Sequence, residues 1–157
     1  MKRSLIAGLL FVAATTAQAQ SAAPVAVKDP WARATVPAQK TTGAFMQLTS
    51  PAGARLVEVR SSVAGVVEIH EMAMVDNVMK MRAVSGIDLP PGKTVELKSG
   101  GYHLMLINLK SPVRAGGSVP LTLVFEGKDR KRQSVEVKAA VRALNTLAKA
   151  GEQHKGQ

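Results

Sequence analysis

Cysteine is absent from the 157 residues of this chain. That omission removes a disulfide scaffold, a thiolate nucleophile, a cysteine-ligated zinc site and an iron–sulfur cluster from consideration. Aromatic residues are nearly as scarce, at 3%, with one Trp, one Tyr and three Phe. The core must therefore be aliphatic, and the abundance of Val, 19 residues, favours strands. Acidic residues number 11 against 21 Lys and Arg, a formal net charge of +10. With 20% charged and 46% hydrophobic residues, the chain has the balance of a globular protein rather than a disordered one.

No apolar run reaches the roughly 20 residues that a membrane-spanning helix needs. The stretch 5–14 is apolar but short, and it follows Lys2 and Arg3 and precedes Ala17-Gln18-Ala19. A basic start, a short apolar segment and small residues at a cleavage site describe a secretory signal peptide, 1–19, cut after Ala19. A lipid anchor would need cysteine as the first mature residue, where Gln20 stands. The mature chain is expected to be soluble, with one domain over 20–150 and a flexible tail over 151–157. A domain of this size buries about two thirds of its unfolded surface, enough for a core without staples.

The basic excess is diffuse, with one cluster at Lys128, Arg130, Lys131 and Arg132. It reads as a solvated hairpin tip, or as a docking point for an acidic protein or anionic lipid. Nucleic acid is not expected, because the chain carries an export signal and its aromatics do not interleave with its charges.

Short runs of Val, Leu and Ile alternate with turn signals such as Leu89-Pro90-Pro91-Gly92, Ser99-Gly100-Gly101 and Ala115-Gly116-Gly117. The pattern predicts strands over 31–36, 43–49, 55–61, 66–74, 78–84, 94–97, 102–109, 118–125 and 133–141. That spacing describes an all-β antiparallel sandwich or barrel, with a short C-terminal helix over 142–149.

The chemistry concentrates between His70 and Met105. Met72, Met74, Met79, Met81 and Met105 lie there with two of the three histidines. Methionine in a strand is ordinarily core filler, but geometry argues for more here. With Asp76-Asn77 as a two-residue hairpin loop, Met74 faces Met79 and Met72 faces Met81. Alternation then puts His70, Met72, Met81 and Ala83 on one side, and His70 and Met81 form a diagonal pair. His103 and Met105 share a face of another strand. Imidazole with thioether and no thiolate is a soft, neutral donor set. It suits Cu(I) better than Zn(II), Mg(II), Ca(II) or Cu(II), and without a thiolate it is not a blue-copper centre. No nucleophile–base pair, carboxylate dyad or phosphate loop stands out, so an enzyme is not expected.

The spacing His70, ten residues, Met81, twenty-one residues, His103-Leu104-Met105 resembles the H-x10-M-x21-H-x-M signature of the periplasmic copper chaperone family PCuAC. The likeness extends through Trp31-Ala32-Arg33-Ala34-Thr35, Thr42-Gly43-Ala44-Phe45-Met46, Met79-Lys80-Met81-Arg82, Leu89-Pro90-Pro91-Gly92 and Val119-Pro120-Leu121-Thr122-Leu123. The resemblance implies a cupredoxin-like β-sandwich in the periplasm, holding one Cu(I) at an exposed edge site through His70, Met81, His103 and Met105; a monomer is expected. It implies delivery to the CuA centre of cytochrome c oxidase subunit II, alongside Sco-type proteins. Some relatives bind Cu(II) with a His- and Met-rich tail, where this chain offers only His154. Two other readings stay open on the residues alone: copper sequestration for tolerance, and a structural β-sandwich without metal.

Overall fold

The computed structural model describes residues 24–143. Ten strands run β1 (Ala26–Arg33), β2 (Thr41–Thr49), β3 (Ala54–Arg60), β4 (Ala64–Val75), β5 (Val78–Ala83), β6 (Ile87–Leu89), β7 (Thr94–Leu97), β8 (His103–Leu109), β9 (Ser118–Gly127) and β10 (Arg132–Arg142). They hydrogen-bond in the order β5-β4-β8-β2-β1-β10-β9-β3-β6, with β7 also on β2. The result is a cupredoxin-like β-sandwich with no helix among the described residues.

The interior is aliphatic, as the shortage of aromatics requires. Leu48, Leu56, Ile87, Leu89, Leu97, Leu104, Leu106, Leu121 and Leu123 are fully buried, and Phe125 joins them. Each such side chain is worth about 1.5–3 kcal/mol relative to leaving it in water. Burial alternates along the strands that carry this core. On β8 the even residues Leu104 and Leu106 are buried while Met105 and Ile107 are only partly so, because successive side chains point to opposite faces.

Each of the nine expected segments overlaps a strand, with instructive differences. β1 begins earlier than expected and contains Asp29-Pro30, where its register against β2 shifts between Lys28 and Trp31. Proline has no N–H to give the ladder, and Asp29 at φ 47 accommodates the bulge. β1 pairs with β10 in parallel, Trp31 opposite Ala140, so the sheet is not purely antiparallel as the sequence predicts. Arg142, placed by the sequence at the start of a helix, is the last residue of β10. Its Nη2 donates to Asp29 Oδ1 at 2.6 Å. The remainder of the expected helix, the tail with His154 and the signal segment lie outside the described residues. Lys128, Arg130 and Lys131 occupy the β9–β10 turn, closed by the Gly127 N–H on the Lys131 carbonyl.

β6, unforeseen in the sequence, is a three-residue strand pairing Ile87 with Leu56 of β3. Gly86 precedes it, and a Cβ there would collide with the Leu56 carbonyl oxygen. Backbone cannot step aside as a flexible side chain does. Gly86→Ala is therefore expected to cost about 1–3 kcal/mol, read as a fall in the denaturation midpoint. An unchanged midpoint would mean that the β3–β6 approach is looser than described.

Candidate metal site

The site is built on β4, β5 and β8. Asp76 and Asn77, at φ 52 and 58, form the positive-φ pair of a type I′ turn, whose twist matches the strands it joins. This fixes the hairpin register as Val75↔Val78, Met74↔Met79, Met72↔Met81 and His70↔Ala83, the pairing that the sequence predicts. On its other side β4 pairs with β8, setting His70 opposite His103 and Glu68 opposite Met105. β8 in turn sets Met105 opposite Gly43 of β2. Glu68, His70 and Met72 therefore share one face with Met81, His103 and Met105.

β7 and β8 both pair with β2, at its two ends, and the loop between them closes over the site. The Gly101 carbonyl in that loop accepts from the Met72 N–H at 3.2 Å and from His103 Nδ1 at 3.0 Å. A carbonyl only accepts, so the proton sits on Nδ1. In the neutral ring Nε2 is then a bare lone pair, and it stands 3.2 Å from Met81 Sδ.

His70 is held in the complementary sense. Its Nε2 lies 2.7 Å from Glu68 Oε2, and the carboxylate accepts that N–H. Nδ1 is left as the lone pair, and it is the one buried side-chain nitrogen or oxygen without a partner among the described residues. The two rings are 5.7 Å apart at 63°. In both histidines one nitrogen is fixed by an outer acceptor and the other is left free to donate, the arrangement by which proteins orient metal-binding imidazoles.

A cavity of about 300 Å³ opens on this face, lined by Met72, Met81, His103, Met105, Gly43, Phe45 and Arg33 among others. Phe45 forms its wall, stacked on Trp31 with centroids 4.4 Å apart and 6.5 Å from the His103 ring. Gly43 is required beneath that ring, since a Cβ would stand 2.9 Å from Phe45 Cζ. The structure thus brings Met81, His103 and Met105 together at the cavity. His70 is not among its lining residues and joins the group through its contact with the His103 ring.

Met72 lines the cavity as well, on the face where counting from the hairpin puts it, although it lies outside the signature spacing. One feature escapes the sequence: His103 is buried, only 7% exposed, because the Gly101 loop and Phe45 cover it. Met81, by contrast, is 51% exposed.

The donors available are two imidazole nitrogens and a group of thioethers. Among the described residues no three His, Cys, Asp or Glu side chains converge as metal ligands, and the Glu68 carboxylate is engaged by His70. Hard cations that need several oxygen ligands have no seat here. A soft closed-shell cation fits the set.

The sequence model of a family described as "Putative lipoprotein LpqE-like" matches residues 25–141. A putative lipoprotein of Leifsonia xyli subsp. xyli is 31% identical over 115 residues, covering 73% of this chain and 69% of its own. Among solved structures, the copper-bound PCuAC domain from PmoF2 is 26% identical with a TM-score of 0.63, over 78% of this chain and 96% of that one. The Cu(I)-bound solution structure of DR1885 from Deinococcus radiodurans is 30% identical with a TM-score of 0.54, over 83% and 85% of the two chains. The fold is thus of the PCuAC type.

Proposed function

This chain belongs to the LpqE-like family of putative lipoproteins, and on that premise we propose that it is an exported Cu(I) chaperone rather than an enzyme. It holds one ion through His70 Nδ1, Met81 Sδ, His103 Nε2 and Met105 Sδ. The observation that carries this reading is the pair of oriented imidazoles. His70 keeps a buried, unpartnered Nδ1 and His103 turns Nε2 onto Met81 Sδ. An unsatisfied buried nitrogen costs about 1–3 kcal/mol, a cost that a bound cation removes. The likeness to structures titled copper-bound and Cu(I)-bound supports the choice of ion.

Delivery follows from the chemistry of the donors. Four neutral ligands hold Cu(I) without thiolate, so a recipient's thiolates displace them one at a time, with no change of oxidation state. The recipient we propose is the CuA domain of cytochrome c oxidase subunit II, with Sco-type proteins alongside, as the resemblance to the PCuAC family implies. The lipoprotein description of the family and of the Leifsonia relative is compatible with export; the periplasmic location and cleavage after Ala19 are part of the proposal.

The test is a titration of the mature protein with Cu(I) against a competing chelator, followed by mixing with apo CuA domain. One bound equivalent and transfer to the CuA domain are expected. Absence of Cu(I) binding would overturn the reading. Binding without transfer, with copper tolerance but not oxidase activity lost on deletion, would favour sequestration.

Glu68 provides a further check. Glu68→Ala removes the acceptor that orients His70 while leaving all four donors in place. Loss of such an outer partner commonly costs about 10- to 100-fold in metal affinity, and the same loss is expected here. Far-ultraviolet circular dichroism should be unchanged, since the Glu68 side chain is partly exposed.

A further inference from the structure

The β4–β5 hairpin outruns the rest of its sheet. β8 leaves β4 at the His70–His103 pair, so beyond Met72 the two strands pair only with each other. On this projecting ribbon Met74 faces Met79, one step outward from the Met72–Met81 pair and on the same face. Met74 is 62% exposed and Met79 46%. Core filling therefore does not explain them, and burying them would be worth free energy that their exposure forgoes. The ribbon's charged pair, Arg82 with Glu71 at 3.0 Å, is on the opposite face, and Lys80 lies opposite Ala73. Beyond Met72 the thioether face of the two paired strands thus carries no carboxylate to recruit a hard cation.

Directly opposed side chains in an antiparallel pair have Cβ atoms about 4.5–5.5 Å apart. Methionine has three rotatable bonds and a polarisable sulfur, so the Met74 and Met79 sulfurs can close on a single ion between them. We propose that Met74 and Met79 form a second, weaker, thioether-only station for Cu(I), through which the ion reaches and leaves the His70–Met81–His103–Met105 site. This rests on the function proposed above. The step is ligand exchange: the bonds from Cu(I) to Met74 and Met79 break as bonds to Met72 and Met81 form. Neither proton nor electron moves.

Such a station changes rates and leaves the affinity of the inner site alone. The test uses the mature protein labelled at its methionine methyl groups, with Ag(I) as the probe for binding and a small-molecule Cu(I) chelator as donor and acceptor. No partner protein is present, so a docking role for the same patch does not contribute. Beyond the first equivalent of Ag(I), the Met74 and Met79 methyl signals are expected to shift in fast exchange. In Met74→Leu/Met79→Leu, inner-site affinity is expected within about twofold of the parent, with loading and unloading both slower by about tenfold. Unmoved Met74 and Met79 signals at several equivalents, or parental transfer rates in the double variant, would overturn the station while leaving one bound equivalent intact. A parent that takes up no Cu(I) or Ag(I) would overturn the function on which it rests.

Discussion

Met81→Leu is expected to fold as the parent does and to hold Cu(I) more weakly by a factor of about ten or more, each tenfold being 1.4 kcal/mol. Met81 contributes little to the core, being half exposed on the edge strand β5. Leucine keeps its volume and apolarity, and exposed substitutions of this kind usually stay within about 0.5 kcal/mol of stability. What leucine lacks is the sulfur that stands 3.2 Å from His103 Nε2. Met105→Leu should behave alike. Met46→Leu is the control, because Met46 is 2% exposed inside the core and, by alternation, on the face of β2 opposite the one that Gly43 and Phe45 turn to the cavity, so a volume-conserving swap should leave Cu(I) binding at the parental level. Chelator competition reads all three. Parental affinity in both Met81→Leu and Met105→Leu would sink the two-imidazole, two-thioether assignment. His103→Ala is a less clean probe, since its burial means that truncation also loosens the packing beneath the Gly101 loop.

Leu104→Ala should do the reverse. Leu104 sits between His103 and Met105 yet faces the interior, fully buried, and leucine-to-alanine changes at such positions cost about 2–5 kcal/mol. All four donors remain in the chain, so the expected signature is a large drop in the denaturation midpoint. At low temperature, where the variant stays folded, stoichiometry should still be one Cu(I). A midpoint close to the parent's would show that the β8 register is misassigned. A slip of one residue would exchange the core face for the site face along the whole strand.

The period-two alternation that separates these two variants was legible in the sequence, and so was the hairpin. Asp76-Asn77 suits a tight hairpin, and with those two residues as the loop the Met72–Met81 and Met74–Met79 pairings follow by counting. His103 and Met105 share a face for the same reason. The strand partners were not legible. That β8 lies beside β4, with His70 against His103, depends on pairing residues more than thirty apart, and no local pattern encodes it. The same holds for the β7–β8 loop, whose Gly101 carbonyl fixes the His103 proton. The expected start of the first strand at 31 leaves out Ala26–Pro30, which joins β1 through a bulge between Lys28 and Trp31. Ile87–Leu89 is too short to show an alternation, and only its contact with β3 makes it a strand.

The parallel pairing of β1 with β10 bears on how the molecule is made. The first strand of the domain lies against the last, Trp31 beside Ala140 and Arg33 beside Arg142, so the ribbon stays open until nearly the whole chain has emerged. Contacts this distant in sequence favour folding in milliseconds to seconds rather than microseconds. On the export proposed above, a chain threaded through a translocation channel from its N-terminus reaches the far side with β2 beside β1 and the β10 edge of β1 still unpaired. Amide protection at Trp31–Arg33 should accordingly rise in step with that at Ala140–Arg142, as the final event of a single closure.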